Sequence, residues 1–319
     1  MKISAVRHAM GTSLVASLLL SPLAHAQMGD PTKVTLKTTP VAGNISMIEG
    51  ANGFAGGNVA VLVGDDGVLV VDDELEPLTP KLRTALAALS KKPVRFVLNT
   101  HLHGDHTGGN ATLGAAGAVI VAHYNVRKRL SAEQFVEFLG MKKTIPASPA
   151  AALPVVTFTD DITLFFDGDE IHVVHVPPAH TDGDALIHFK KANVLHMGDT
   201  LLGGYPIVDR GSGGVFEGYI TAADRALAIA DDATKIIPGH GPVMTKADLQ
   251  AWREMLIKVR DRIAALAAQK KTLDEIKAAK PTAEYDAKFG QGFIKPDMLV
   301  ETIYKDLPAA PAKATKHKH

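Results

Sequence analysis

Cysteine is absent from all 319 residues. Disulfides, thiolate metal sites, a cysteine nucleophile and a lipidated N-terminal cysteine are therefore excluded. Net charge is lacking too, because 34 Lys+Arg offset 34 Asp+Glu. A general basic footprint is missing, so no nucleic-acid partner is expected. Long apolar runs are scarce. The stretch Leu14 to Leu20 is too short to span a bilayer comfortably, and no later stretch is long and apolar enough for a transmembrane helix. Lys2, Arg7 and His8 precede that stretch, and Ala24-His25-Ala26 follows it with small residues at the cleavage positions. Residues 1–26 thus read as a signal peptide removed near Ala26, which implies a periplasmic or secreted protein with no stable membrane anchor. What is present is core. Hydrophobic residues make up 46% of the chain and charged residues 21%, the balance of a globular protein rather than a disordered one.

The mature chain reads as one α/β domain over residues 27–307, with a core at about 41–244 and C-terminal helices. The tail at 308–319 is Ala, Pro, Lys and His, and disorder is expected there. Strand-like runs occur at Val41 to Ile48, Val59 to Val63 and Val68 to Val71, the last two joined as a hairpin by Gly64-Asp65-Asp66-Gly67. Thr79 as N-cap and Pro80 at the first helical position open a helix with Leu82, Leu86 and Leu89 on one face. The strand Val94 to Leu98 comes next. A helix is expected from about Val126 to Leu139, then a Pro- and Ala-rich loop from Thr144 to Pro154. Strands follow at Ile162 to Phe166, Ile171 to Val176, Ala185 to Phe189 and Val194 to His196. A glycine-rich loop from Gly203 to Gly214, a helix near Phe216 to Ile229 and the strand Lys235 to Ile237 come after them. Thr245 and Asp248 make a capping-box-like start for a helix whose Leu249, Trp252, Leu256, Val259 and Ile263 form one apolar stripe. Strands in two groups with helices between them imply two sheets in the middle.

The sharpest feature is His101-Leu102-His103-Gly104-Asp105-His106, directly after a buried strand. Imidazole nitrogen and carboxylate oxygen are both good zinc ligands, and this run exceeds what one tetrahedral ion can use alongside other ligands. His180, Asp199 and His240 share its placement. Each sits on a tight Gly- or Pro-bearing loop just past the C-terminal end of a strand, the edge where open α/β sheets build their sites. Other histidines read as structural: His172 and His175 are three apart on a strand and face opposite sides. His123, His188 and His196 are read the same way, and His317 and His319 belong to the tail.

This ordered set resembles the metallo-β-lactamase-fold hydrolase superfamily over roughly Val41 to Met244. The matching motifs are Asp72 after an apolar strand, the His-x-His-x-Asp-His run, His180, Asp199 and His240. The resemblance implies an αββα sandwich, two mixed sheets face to face with helices outside. It implies a two-metal centre, with His101, His103 and His180 on the first ion and Asp105, His106 and His240 on the second. Asp199 would bridge them. Two zinc ions are expected, and manganese or iron also suits such N/O sites. Asp72 would orient the metal loop and Asp184 would hydrogen-bond a ligand histidine. Tyr205 and Ser212, on the loop after Asp199, would contact a small-molecule substrate.

Two such ions, about 3.5–4 Å apart, ionise a shared water near neutral pH, with no serine or cysteine nucleophile required. Asp105 is expected to steer that nucleophile while ligating the second metal. His106 resembles the histidine-only lactamase group, whereas Asp199 resembles the thioesterase, lactonase and phosphodiesterase branches. His103 stands where the flavin- and iron-dependent branch has a carboxylate. An acyl-type substrate (ester, lactone, thioester or lactam) is the leading expectation. Weak or promiscuous β-lactam hydrolysis, phosphodiesterase or sulfatase-like activity, and silent metal binding are the alternatives.

Overall fold

The computed structural model describes residues 30–138 and 141–307. The expectations for the leader (1–26) and the tail (308–319) lie outside the described residues. In chain order the strands are β1 (Thr35–Ala42), β2 (Ile45–Ala51), β3 (Val59–Val63), β4 (Val68–Val71), β5 (Val94–Leu98) and β6 (Val119–His123). Next come β7 (Gln134–Phe138), β8 (Met141–Ile145), β9 (Val156–Phe158), β10 (Asp161–Phe166) and β11 (Asp169–His175). The last are β12 (Ala185–Phe189), β13 (Val194–His196) and β14 (Lys235–Ile237). They form one sheet in the order β1-β2-β3-β4-β5-β6-β9, a second in the order β10-β11-β12-β13-β14, and the separate hairpin β7-β8.

Residue alternation explains why the two sheets stack. On β3 and β4, Val59, Val61, Val68 and Val70 point outward to pack with Leu82 and Leu86 of the helix Thr79–Leu89. Ala60, Leu62, Leu69 and Val71 point inward, meeting Ile171, Val173, Ile187 and Phe189 of the second sheet. Both faces of these strands are buried, so they read as continuous apolar runs rather than alternating ones. Beyond the second sheet, Val174, Leu186, Leu195 and Ile236 pack against the helices Phe216–Ile229, Lys246–Ala268 and Pro296–Asp306. The layers are helix, sheet, sheet, helix: the αββα sandwich. Trp252 anchors the outer layer, fully buried, with its indole N–H donated to Gly204 O at 2.9 Å. The capping box at Thr245 and Asp248 forms as read.

Three local expectations are corrected. The run Val41 to Ile48 is not one strand, because Gly43, at φ 55°, turns the chain so that β1 pairs antiparallel with β2. Only glycine takes that conformation without a Cβ penalty. The expected helix from Val126 to Leu139 is the shorter Tyr124–Leu130, after which the chain turns into β7 and β8. The short apolar and aromatic run in the sequence there suits a strand as well as a helix, and periodicity alone does not separate the two. Thr79 is not an N-cap either. The chain enters through a 3₁₀ turn at Glu76–Leu78, and the Thr79 hydroxyl donates to Glu76 O at 2.8 Å.

Candidate metal centre

Strand direction gathers the polar residues at one edge. β4 and β5 are parallel neighbours, so Asp72 and the run Thr100 to His106 leave the first sheet side by side. β13 and β14 are parallel too, which delivers Asp199 and His240 from adjacent ends of the second sheet. His180 lies on the loop after β11. Loops from the two sheets interlock here. Gly57 N–H donates to Asp105 O at 2.9 Å and Asn58 N–H to Gly239 O at 2.7 Å. The Asn58 side-chain amide donates to Pro238 O at 2.9 Å and Gly241 O at 2.8 Å. Gly57 and Gly239 are needed for closeness: a Cβ would overlap the His106 ring at the first and the Asp199 carboxylate at the second.

All seven candidate ligands converge. Their donor atoms fall into three overlapping groups: His101, His103 and His180; His101, His106 and Asp199; Asp105, His106 and His240, the atoms of each group lying within 4.8 Å of one another. Asp199 faces both ends of the cluster. Its Oδ2 is 3.5 Å from His180 Nε2, and its Oδ1 is 3.2 Å from His106 Nε2 and 3.4 Å from His240 Nε2. Asp105 Oδ2 lies 3.3 Å from His240 Nε2 and 3.6 Å from His106 Nε2.

Partners behind the imidazoles fix their tautomers. Thr100 gives its hydroxyl proton to Asp72 Oδ2 at 2.8 Å, so it accepts from His101 Nδ1–H at 2.9 Å. His106 Nδ1–H donates to the same Asp72 oxygen at 2.7 Å, and His103 Nε2–H donates to Asp209 Oδ2 at 2.8 Å. His180 Nδ1–H donates to Ile207 O at 2.6 Å, a carbonyl that also accepts from the Tyr219 hydroxyl. Each outward proton leaves a lone pair on the inward nitrogen, the arrangement metal-bound histidines use. Consequently His103 Nδ1 and His180 Nε2 point lone pairs at each other across 2.8 Å. His101 Nε2 and Asp199 Oδ1 are buried with no hydrogen-bond partner. Buried acceptors facing acceptors are costly, and a cation among them removes the conflict. The donor set, all imidazole nitrogen and carboxylate oxygen, therefore fits metal ions of the zinc, manganese or iron kind.

His240 is held differently. Its polar contacts run through Nε2, while its ring is stacked on Phe54 at 5.5 Å between centroids and 25° between planes. The charges divide along a different line, set by the nearest carboxylates: burial opposes charge on His103 too, yet its hydrogen bond to Asp209 leaves it raised. Burial holds His101 well below the usual imidazole range and His180 down at about 4, with neighbouring imidazoles adding to the effect. Burial also opposes charge on His106 and His240, but the carboxylates of Asp199 and Asp105 outweigh it. His106 is kept well above its ordinary value and His240 up at about 10.

Asp72, with φ 62° and no exposure, accepts from Thr100 N–H as well and so braces the whole run. Asp184 does hydrogen-bond a ligand histidine, His180, through that residue's backbone N–H rather than its ring. It accepts from the backbone N–H groups of His180 and Thr181 and from the Thr181 hydroxyl, shaping the loop rather than touching an imidazole. The two proposed substrate contacts are not brought to the centre. Tyr205 is buried, donating its hydroxyl to Asp286 at 2.7 Å, and Ser212 is buried in the turn capped by Asp209. Their loop contributes Asp209 instead, which position alone did not single out. Asn58 and Tyr219 also went unremarked, since neither carries a local motif. Glu74 is a further omission: fully buried, with neither carboxylate oxygen partnered, and pushed up to about 8 by burial. The acidic triplet Asp72-Asp73-Glu74 after a buried strand was the available signal.

A fold of two stacked sheets with a histidine and aspartate cluster on its seam defines a class, and comparison places the chain within it. Residues 52–240 match the family model of the metallo-beta-lactamase superfamily, and the chain belongs to that superfamily. Among curated relatives, a 2,4-dinitroanisole O-demethylase subunit alpha from Nocardioides sp. is 26% identical over 69% of this chain and 62% of its own length. A hydroxyacylglutathione hydrolase from Polaromonas sp. is 28% identical over 52% of this chain and 56% of its own. The chain thus spans somewhat over half the length of these two relatives. Among solved structures, a metallo-beta-lactamase from Pontibacter korlensis superposes with a TM-score of 0.55 at 18% identity, covering 70% of this chain and 99% of that one. At that identity the likeness is one of fold.

Proposed function

We propose that this chain is an exported, metal-dependent hydrolase that binds two cations, zinc in the first instance, and cleaves an acyl-type small molecule such as an ester, lactone, thioester or lactam. One observation carries the reading: Asp199 turns one oxygen towards His180 and the other towards His106 and His240, and His101 Nε2 and Asp199 Oδ1 are buried in that cluster with no hydrogen-bond partner. Cations bound there supply Lewis acidity and a water ionised near neutral pH. The chain's own contribution is positional. Asp72, Asp209 and Ile207 O hold the imidazoles by their outward protons, so the inward nitrogens cannot turn away. Asp105, with its side chain 21% exposed, is the carboxylate on the open side and can orient a nucleophilic water and take its proton at Oδ2. The hydroxyacylglutathione hydrolase relatives favour thioesters within the acyl class. Export rests on the N-terminal reading, and a mature N-terminus at Gln27 is its test.

The decisive experiment is metal analysis of the purified protein, followed by a panel of esters, lactones, thioesters, nitrocefin and bis(p-nitrophenyl) phosphate with and without chelator. Two equivalents of metal and chelator-sensitive turnover of an acyl substrate are expected. Turnover that survives complete metal removal would sink the proposal, and a preference for the phosphodiester would move the substrate class.

A further inference from the structure

The loop bearing Phe54 is pinned against the centre from two directions. Gly57 N–H is bonded to Asp105 O, and Asn58 ties the same loop to Pro238, Gly239 and Gly241 around His240. Ala55 O accepts from Leu75 N–H at 3.1 Å, closing the third side. Phe54 therefore has a fixed place on the His240 ring. A second ring completes a corner: Phe293, from the segment before the helix Pro296–Asp306, meets Phe54 edge-on at 5.8 Å and 82°. Its neighbours Phe289 and Ile294 are each only 6% exposed, yet Phe293 is 52% exposed. A segment that buries two of its large apolar side chains and presents a third beside the cluster holds apolar surface available for a ligand. The basic side chains of that segment are turned elsewhere, Lys288 over the Phe289 ring and Lys295 to Gln291 O.

We propose that Phe54 and Phe293 form an aryl-binding subsite beside His240, so that the substrate carries an uncharged aromatic group next to its scissile bond. One face of Phe54 is taken by His240, while Phe293 stays half exposed beside it, and a further ring can pack on that exposed ring where a small alkyl group covers far less of it. This rests on the hydrolase reading for its turnover test, so a binding measurement accompanies it. With metal-loaded protein, benzyl acetate is compared with ethyl acetate, and methyl phenylacetate with methyl propionate, which puts the phenyl group on either side of the ester. Calorimetry compares phenylacetate with acetate. The expected result is a kcat/KM ratio of about tenfold or more in favour of phenyl in at least one pair, and tighter binding of phenylacetate. Phe293→Ala and Phe293→Leu should bring both ratios towards unity. Phe54, not Phe293, is the ring stacked on His240, so a loss in the Phe293 variants is separable from any metal loss in Phe54→Leu, which metal content reports. Equal binding of phenylacetate and acetate, or a phenyl preference unaltered by Phe293→Ala, would overturn the subsite. Phenylacetate selectivity without turnover of any ester, lactone, thioester or lactam would instead overturn the hydrolase reading and leave the subsite standing.

Discussion

At the His180 corner the side chain is 2% exposed, its Nδ1–H is spent on Ile207 O, and Tyr219 closes over the same carbonyl. At the His240 corner the side chain is 23% exposed and rests on a phenyl ring. A hydrogen bond fixes both the tautomer and the tilt of a ring, whereas a stacking contact fixes the plane and leaves rotation and protonation freer. One corner is built to hold still. The other can yield to whatever arrives, and the Phe54–Phe293 pair lies on that side.

The contrast can be broken in graded steps. Asp199→Ala removes the residue common to both corners. Its turnover and metal content should fall further than the roughly 10–100-fold typical of losing an outer partner, with metal counted directly. A variant retaining two tightly held equivalents would show that the corners are independent. Next are the partners themselves. Asp72→Ala strips His106 and, through Thr100, His101, while Asp209→Ala strips His103 alone. Both should lie in the range of about 10–100-fold, Asp72 the more severe, and equal losses would refute the shared brace.

Asn58→Ala sharpens the comparison on the yielding side. It leaves Pro238 O and Gly241 O unpaired and should cost about 1–3 kcal/mol in denaturant unfolding, loosening His240 but not His180. The smallest effect concerns histidines away from the centre. His123 and His175 stack at 3.8 Å and 7°, each hydrogen-bonded to a backbone carbonyl, with Asp160, Asp182 and Arg225 the charged groups around them. Burial, followed by the His175 ring, depresses His123 to about 4. The unfolded chain then binds the proton first, so the pair's stability is full above about pH 6.5 and is lost as pH falls towards 4. Because the ring is partly solvated, the loss is about 1 kcal/mol, and it should shrink in His123→Gln, which leaves only the burial of His175.

Much of this was legible because strand ends speak locally. The His101–His106 run, His180, Asp199 and His240 each announce themselves by a polar residue on a Gly- or Pro-bearing loop after an apolar run, Asp72 stands out only as an aspartate after an apolar strand, and the parallel pairing of β4 with β5 and β13 with β14 did the rest. Asp209 and Asn58 were not legible. Each acts across more than a hundred residues, on His103 and on the His240 loop, and no local spacing encodes such a meeting. Tyr205 misled for a related reason. Its loop does reach the centre, but the C-terminal helices claim its ring, and Asp286 its hydroxyl.

The seam itself has a consequence. His101 to His106 belong to one sheet, and His180, Asp199 and His240 to the other. A cation held by both is a clasp across the sandwich, so loading and folding are linked: every tenfold of metal above its dissociation constant adds about 1.4 kcal/mol to the folded state.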